Sequence, residues 1–299
     1  MRKIAFITSE DDPTLIKDDQ LVFAPLKERG YTAFPHIWDH GHTGLETCDA
    51  IVFRSCWNYH RKYEQFLSWI EKLKNFKVPV INPIAVNLWN LNKHYLIELA
   101  DKGTTIPTTK FIEKGTALNM LELRVLIDAI GAPQVVIKPA VSLNGQDTYL
   151  VAANDLSQIN KIMAELLPTR DMLVQEFVPE IKTSGEVSLI FFNKKYSHAI
   201  RKTPAAHEFR IHHEYGGQRA SYTPSKELIQ QATDIVNLVE GPLVSCRVDV
   251  VETPQGAKLI ELEIIDPMLF LALGEGAPDR FAQALVDAIA ASRLEGKTP

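Results

Sequence analysis

The segment "SCRVDVVETPQGAKLIELEIID" at residues 245–266 limits the fold of this chain more than any other stretch, because it predicts a β-hairpin. Two apolar strands flank "PQG", and a three-residue loop that ends in Gly is a common hairpin connection. This connection places Asp249 opposite Glu261 and Arg247 opposite Glu263. Side chains alternate across a strand, so these four charged groups share one face. The other face is expected to pack on the core with Val248, Val250, Ile260, Leu262 and Ile264.

The three carboxylates of this face have two explanations. Both require the register given above, because a slip of one residue would move Arg247 and Asp249 away from the glutamates. Neighbouring carboxylates repel each other unless a cation offsets their charge. One explanation is a solvated sheet face with an Arg–Glu cross-strand pair. The other is a magnesium site, because Mg²⁺ takes few carboxylates and completes its shell with water and phosphate oxygens. A magnesium site of this kind also requires a phosphate-binding device elsewhere in the chain.

Two lysines and one loop fit such a device, although the common nucleotide-binding motifs are absent. No G-x-G-x-x-G follows a strand, and the "GKT" at 296–298 lacks the upstream glycine of a P-loop. Lys138 ends the apolar strand "VVIK", where a cation either reaches water or meets an anion, and Lys93 lies early in a predicted helix. The loop "SLNGQD" offers polar side chains and backbone N–H groups for a flap over phosphates. Its candidate residues are Ser142, Asn144, Gly145 and Gln146.

Composition restricts the class of protein. Of the 299 residues 45% are hydrophobic and 23% are charged, as in an ordinary globular protein. The net charge of -5 provides no basic surface for nucleic acid, and no apolar stretch reaches the roughly 18 residues of a membrane span. Cys48, Cys56 and Cys246 form no close pair, which favours a reducing compartment. We therefore expect a cytoplasmic protein without nucleic-acid or membrane partners.

The first 85 residues or so alternate between predicted strands and helices, which indicates a small open α/β layer. In such layers ligands bind beyond the carboxyl ends of strands. The loop after "AIVF" is then expected to face a crevice, with Arg54 on a substrate carboxylate and a pocket shaped by Ser55, Trp57 and Tyr59. The alternative is that Arg54 pairs with an acid of its own domain.

The rest of the chain divides into a compact α+β unit at about 104–173 and a strand-rich part with an apolar helix from about 278. Further helices are predicted at 15–29, 62–75, 90–103, 117–130, 155–167 and 225–239.

From about residue 85 to 290 the sequence resembles the ATP-grasp superfamily, in particular its glutathione-synthetase-like and peptide-ligase-like members. The motifs that carry the resemblance are "NKHYLIELA", "VVIKPAVSLNGQDTYLV", "LVQEFV", "GEVSLIFF", "FRIHHEYGG" and "RVDVVET…LIELEIIDP". The first 85 residues look like the α/β domain that precedes an ATP-grasp fold. "FRSCWNYHRKYEQFLSWI" and "SHAIRKTPA" are similar to the small subgroup of D-cycloserine biosynthesis cyclo-ligases.

This resemblance implies an α/β and α+β architecture, that is, an ATP-grasp fold in three parts. They are an N-terminal pre-ATP-grasp α/β domain (1–88), a central lid subdomain (89–173) and a C-terminal antiparallel-sheet domain with the metal-binding hairpin (174–299).

The resemblance also implies roles for residues in the nucleotide site. Lys93 and Lys138 match lysines that contact the ATP phosphates, and Glu186 matches the residue that binds the ribose hydroxyls. The linker "QEFV" matches the segment that hydrogen-bonds adenine, partly through its backbone. The linker residues are Glu176, Phe177 and Val178.

The metal and substrate residues follow in the same way. Asp249, Glu261 and Glu263 match metal ligands, although the last position is an amide in many relatives. Arginines that stabilise the transferred phosphoryl group are matched by Arg247 and Arg210, and Arg201 is expected on the substrate side.

The function implied is an ATP-dependent ligase that uses Mg²⁺ or Mn²⁺. It would activate a carboxyl group as an acyl phosphate for attack by a nitrogen nucleophile. The subgroup implies ring closure of an amino-acid derivative, such as O-ureido-D-serine to D-cycloserine. The alternatives are an intermolecular amino-acid or peptide ligase, a small-molecule kinase on the same fold, and a regulatory module without turnover. The expected partner is a small amino-acid-like substrate, and a homodimer remains an option.

Overall fold

The computed structural model describes residues 1–206, 208–211 and 215–295, and three sheets organise these residues. Part of the "FRIHHEYGG" motif, namely His212, His213 and Glu214, lies outside the described residues. None of the helices in the described ranges is both long and apolar enough to cross a bilayer.

The first sheet is parallel, with the strand order β2-β1-β3-β4, as its alternation of short apolar runs and helices predicts. Its strands are β1 (Arg2–Thr8), β2 (Tyr31–Ile37), β3 (Ala50–Ser55) and β4 (Val80–Ile81). Its helices are α1 (Lys17–Gln20), α2 (Phe23–Glu28), α3 (Tyr63–Leu73) and α4 (Ile84–Asn90). One face packs on α3 through Phe66, Ile70 and Leu73.

The central sheet is antiparallel, with the order β5-β8-β6-β7. Its strands are β5 (Thr109–Ile112), β6 (Gln134–Pro139), β7 (Tyr149–Ala152) and β8 (Met172–Glu176). It follows α5 (Tyr95–Asp101) and is covered on one face by α6 (Met120–Asp128) and α7 (Leu156–Leu166). Helix α6 begins with a capping box formed by Asn119 and Glu122, which satisfies its first backbone N–H groups.

The third and largest sheet is antiparallel, with the order β11-β10-β9-β12-β13. Its strands are β9 (Glu186–Phe192), β10 (Lys195–Thr203), β11 (Gln218–Tyr222), β12 (Ser245–Thr253) and β13 (Gly256–Glu263). Its helices are α8 (Glu180–Thr183), α9 (Lys226–Asn237) and α10 (Ala277–Glu295). Helix α10 packs through Phe281, Leu285 and Ile289 between this sheet and the first one.

Most predicted elements are present, with some differences. The predicted helix at 15–29 is two short helices, α1 and α2, and strand β11 and helices α4 and α8 were not predicted. The helix expected at 90–103 begins only at Tyr95, and it packs on the large sheet rather than on the central one. Strand β8 runs to Glu176 and so crosses the boundary expected at 173.

The charged face of the hairpin has the predicted register. Asp249 pairs with Glu261 and Arg247 pairs with Glu263. The opposite face joins the core as expected, with Val248, Val250, Leu262 and Ile264.

The route to this register differs from the prediction at Ile260. Thr253 pairs with Gly256, so the hairpin tip is a two-residue turn, which on its own would place Asp249 opposite Ile260. A bulge at Ile260 adds one residue and restores the pairing of Asp249 with Glu261. Ile260 therefore lines the cleft described below, and its predicted place in the core is wrong.

Candidate active site

A cleft lies between the central sheet and the large sheet, and alternation along the strands decides which side chains face it. On β6, Val135 and Ile137 pack on helices α6 and α7, so Val136 and Lys138 face the cleft. On the large sheet the charged face of the β12–β13 hairpin forms the floor. The cleft therefore lies where the charged sides of two sheets meet.

Three carboxylates form a cluster on the floor of the cleft, and it fits a divalent cation. Asp249, Glu261 and Glu263 each offer an oxygen within 4.8 Å of the others. Two oxygens bound to one Mg²⁺ at about 2.1 Å lie at most about 4.2 Å apart, so small side-chain movements suffice for ligation. Arg247 now bridges the cluster, with Nη2 at 2.6 Å from Glu263 and 2.9 Å from Asp249.

The pKa values of the cluster show how tightly the carboxylates interact. Burial raises the pKa of Glu263 to about 7, and the attraction of Arg247 offsets only part of this effect. Burial also acts on Asp249, but Arg247 and Lys202 outweigh it and hold the pKa of that carboxyl below its ordinary value. Added positive charge would stabilise the ionised form of such a group. The cluster thus favours a bound cation.

Three lysines face the cluster. Nζ of Lys93 lies 3.1 Å from Glu261 and donates to the carbonyl oxygen of Ser142 at 2.8 Å. Nζ of Lys202 lies 2.5 Å from Glu186. The side chain of Lys138 forms no hydrogen bond or ion pair within the described ranges, and burial, with repulsion from Lys93, lowers its pKa to about 8. Lys138 is therefore a cation available to an anionic ligand.

Lys202 was not predicted, and it occupies the place expected for Arg201. A regular two-residue turn between β9 and β10 would set Arg201 opposite Glu186. A bulge at Ser197 shifts the pairing by one residue, so Lys202 lies opposite Glu186. Arg201 lies on the other face and pairs with Glu252 at 2.6 Å. The structure therefore contradicts a substrate-binding place for Arg201.

The predicted flap lies over the cleft, with one exception. Ser142, Asn144 and Gly145 line it, and the last two adopt left-handed backbone conformations with φ of 53° and 65°. Gln146 is turned away from the cleft, and its Oε1 lies 2.8 Å from Nε2 of His60 in the first domain. Gln146 therefore connects the flap to the first domain and does not line the cleft.

The linker after β8 borders one end of the cleft. The carboxylate of Glu176 accepts from Nζ of Lys258 at 2.9 Å, and the N–H of Phe177 donates to Gln134 at 3.1 Å. The N–H of Val178 has no acceptor among the described residues. This end therefore presents an unpaired backbone donor beside an apolar surface. Glu186, whose pKa burial raises to about 7, lines the cleft as well.

Arg210 and Arg247 both line the cleft. The guanidinium of Arg210 lies 2.7 Å from Glu208 and 3.6 Å from the ring centroid of Tyr215. The hydrogen bond with Arg210 lowers the pKa of Glu208 to about 2. The Arg210 side chain is thus held at the rim of the cleft by its neighbours.

Of the four residues predicted in the loop after "AIVF", Arg54 and Ser55 belong to strand β3, and only Trp57 reaches the cleft. Arg54 is 1% exposed, and Nη2 donates to Asp19 at 2.6 Å, so it pairs with an acid of its own domain. Ser55 also donates to Asp19, at 2.7 Å, and Tyr59 stacks on Phe66. The structure therefore contradicts the prediction that Arg54, Ser55 and Tyr59 line the substrate pocket.

Sequence reasoning also missed three residues that line the cleft together with Trp57. Met268 and Phe270, from the segment after β13, line the cleft together with Arg219 of β11. The guanidinium of Arg219 lies 5.3 Å from the ring centroid of Phe270. The sequence signal for these residues was the "DPMLF" run, which follows strand β13 with its carboxylates. A segment that continues from a strand on the floor of a site is expected to border that site.

Two family models and one curated protein match this chain. A family model described as the N-terminal domain of D-cycloserine synthetase DcsG matches residues 4–82, and one described as the ATP-grasp domain of prokaryotic glutathione synthetase matches residues 106–275. The Cycloserine biosynthesis protein DcsG of Streptomyces lavendulae is 27% identical over 267 residues, which cover 86% of this chain and 89% of that protein.

Two solved structures show the same architecture. The crystal structure of D-cycloserine synthetase DcsG has a TM-score of 0.86 at 25% identity and covers 96% of this chain and 99% of that one. D-alanine–D-alanine ligase from Bacillus anthracis, complexed with ATP, has a TM-score of 0.72 at 14% identity over 99% and 100% of the two chains, which shows the fold. Since the glutathione-synthetase model spans more than half of the sequence, this chain belongs to the ATP-grasp family and is an ATP-dependent ligase.

Proposed function

We propose that this enzyme closes the ring of an O-substituted D-serine, with O-ureido-D-serine as substrate and D-cycloserine as product. The observation that carries the proposal is the cleft itself. Three clustered carboxylates face three lysines and an arginine, in a chain that matches D-cycloserine synthetase along nearly its whole length.

ATP fits the cleft by the chemistry of its residues. The linker Glu176–Val178 is the proposed adenine contact, through the unpaired N–H of Val178, and Glu186 is the proposed ribose contact. Lys93, Lys138 and the flap would hold the phosphates, and Lys202 adds a third cation there.

Magnesium is the proposed metal, with Mn²⁺ as a substitute, held by Asp249, Glu261 and Glu263. When bound, it neutralises phosphate charge during phosphoryl transfer. Arg247 holds two of the proposed ligands and presents a fixed positive charge to the developing oxyanion, and Arg210 is the proposed second positive charge at the rim.

The chemistry then has two bond-forming steps. The substrate carboxylate takes the γ-phosphoryl group of ATP and becomes an acyl phosphate, with release of ADP. The nitrogen bonded to the side-chain oxygen attacks the acyl carbon, and phosphate leaves. One water molecule then hydrolyses the carbamoyl group from the ring nitrogen, and this group leaves as carbon dioxide and ammonia. Closure of the flap would exclude water from the acyl phosphate, whose hydrolysis would otherwise waste ATP.

We also propose three parts for the chain, 1–88, 89–176 and 177–299, where the second boundary follows the end of β8 at Glu176, and the central part moves as a lid. The central sheet and its two helices have their own core, which supports independent motion. A homodimer stays a prediction, which size-exclusion chromatography tests. A cytoplasmic location also stays a prediction.

The test is incubation of the purified protein with ATP, Mg²⁺ and O-ureido-D-serine, with ADP and product mass as readouts. D-cycloserine and ADP in equal amounts support the proposal. Turnover only when a second amino acid is added indicates an intermolecular ligase. A phosphorylated product that accumulates indicates a kinase, and no ADP with any acceptor indicates a regulatory module.

A further inference from the structure

The outermost strand of the large sheet, β11, adds to the cleft an arginine that the proposed function does not use. Arg219 pairs directly with Lys202 across the β10–β11 ladder. Side chains of directly paired residues point to the same face of a sheet. Because Lys202 faces the carboxylate cluster, Arg219 is expected on the cleft side as well, and both residues line the cleft. Arg219 is also exposed, so a ligand in the cleft can reach it.

The ring of Phe270 connects Arg219 with the arginine of the carboxylate cluster. The guanidinium carbon of Arg219 lies 5.3 Å from the centroid of this ring, and that of Arg247 lies 5.7 Å from it. The two guanidinium carbons are therefore no more than about 11 Å apart, because both distances end at the same centroid. Nη1 of Arg219 also lies 3.1 Å from Sδ of Met268, which lines the cleft too. The two arginines thus border one part of the cleft.

The position of Phe270 is fixed by the fold. Its backbone has φ of 50° and ψ of 42°, a left-handed conformation that is an outlier for a bulky side chain. The residues on both sides are held, since Asp18 accepts from the N–H of Leu271 at 2.9 Å and Nε2 of His198 lies 2.9 Å from the carbonyl oxygen of Leu269. Such conformations persist only where the surroundings impose them, and they are concentrated at functional sites. The fold therefore holds in place the ring that both arginines contact.

The separation of the two arginines suits the ureido compound of the proposed function. Ring closure brings the attacking nitrogen to within about 3–3.5 Å of the acyl carbon. The carbamoyl group is bonded to this nitrogen, so its oxygen lies close to the acyl carbon as well. A hydrogen bond from a guanidinium N–H places the accepting oxygen about 4 Å from the guanidinium carbon. With Arg247 at the carboxyl end of the substrate, Arg219 is within reach of the carbamoyl oxygen.

We propose that Arg219 determines specificity by donating hydrogen bonds to the carbamoyl oxygen of the substrate. The inference rests on the proposed function, because it takes O-ureido-D-serine as the substrate. A bond from a guanidinium to a carbonyl oxygen is charge-assisted and stronger than a bond between neutral groups. It holds the attacking nitrogen near the acyl carbon, while the ring of Phe270 fixes the guanidinium group. Compounds without a carbamoyl group gain nothing from Arg219.

The test compares two compounds that close to the same ring. One is O-ureido-D-serine, and the other is its analogue without the carbamoyl group, which keeps the carboxyl group and has a free aminooxy nitrogen. The variant Arg219→Met removes the donors and keeps an unbranched apolar side chain. We expect the KM for the ureido compound to rise about tenfold or more, because the bond to the carbamoyl oxygen is lost. The KM for the analogue and the KM for ATP should stay unchanged.

A matched variant and the fold itself provide the controls. Arg124→Met changes another exposed arginine, which lies on helix α6 and is 3.8 Å from Asp128, and it should alter none of the three KM values. Because Arg219 is exposed on the outermost strand, Arg219→Met is expected to fold, and an unchanged melting temperature in circular dichroism checks this. A general electrostatic effect of the lost charge would act on both compounds alike, so the ratio of their KM values isolates the carbamoyl contact.

The outcomes separate this inference from the proposed function. If wild type turns over O-ureido-D-serine but Arg219→Met leaves the ratio of the two KM values unchanged, the inference is overturned and the proposed function stands. If wild type does not turn over this compound, the proposed function fails, and calorimetry of both compounds with Mg²⁺ and a non-hydrolysable ATP analogue decides the inference. A preference for the ureido compound that disappears in Arg219→Met supports it, and a preference that is retained or absent overturns it.

Discussion

The burial of Arg54 leads to a prediction about stability that reverses the role expected from sequence. Both side chains of the Arg54–Asp19 pair are 1% exposed. Nε and Nη2 of Arg54 donate to the same oxygen of Asp19 at 2.9 Å and 2.6 Å, and Nη2 also donates to Pro267 at 2.8 Å. Arg54→Ala therefore leaves the Asp19 carboxylate buried, with the Ser55 hydroxyl as its remaining side-chain partner.

The expected loss is about 3–5 kcal/mol in the free energy of unfolding, the usual cost of removing one partner of a buried ion pair. Lys74→Ala is the control, because its pair with Glu71 is half exposed and such pairs contribute about 0–1 kcal/mol. The double variant Arg54→Ala/Asp19→Ala should recover part of the loss, since no unpaired charge remains buried.

Urea unfolding, monitored by tryptophan fluorescence, measures this loss. The signal reports mainly on the domain that contains Arg54, because three of the four tryptophans, Trp38, Trp57 and Trp69, lie in the first 88 residues. A loss below about 1 kcal/mol in Arg54→Ala, together with a raised KM for the amino-acid substrate alone, would refute this reasoning. Arg54 would then act on the substrate.

Three further predictions concern the cleft. Glu261→Gln should lower turnover about a hundredfold or more in a protein that still folds, because it removes a proposed metal ligand; wild-type turnover in excess chelator would contradict this. The pKa of Lys138 is about 8, so the ATP affinity of wild type should fall as pH rises through 8, whereas Lys138→Arg, which stays charged, should keep its affinity in calorimetry. A wild-type profile that stays flat would show that Lys138 is not a phosphate ligand. ATP should also protect the backbone amides of loop 142–147 from hydrogen exchange, and unchanged exchange there would count against a closing flap.

Sequence alone predicted the carboxylate face of the hairpin because this face depends on a short-range pattern. Strand alternation and a turn signal set Asp249 opposite Glu261, and the structure has that pairing. The prediction nevertheless assumed a three-residue loop, whereas the protein reaches the same register with a shorter turn and a bulge at Ile260. A bulge leaves no clear trace in the alternation of side chains. It could not be predicted, although here it did not alter the result.

The same kind of irregularity did alter the result one hairpin earlier. The bulge at Ser197 exchanges the positions of Arg201 and Lys202, so the lysine enters the cleft. The prediction for Arg54 was wrong for a different reason. Its partner Asp19 lies 35 residues away in the sequence and contacts it only in the folded domain. A strand-end arginine looks the same in sequence whether it faces a ligand or a buried acid.

The charges of the cleft bear on how ATP and metal bind. Lys93 lies on Glu261, Lys202 lies between Glu186 and Asp249, and Arg247 bridges Asp249 and Glu263. The groups proposed for phosphate and the groups proposed for metal thus neutralise each other. A metal ion bound to the carboxylates would free the lysines from their ion pairs, and phosphates bound to the lysines would free the carboxylates. Each ligand would thus supply the charge that the other one takes away, so that no buried charge is left unpaired. Metal and nucleotide are therefore expected to bind with positive coupling, because either one alone leaves buried charges of a single sign.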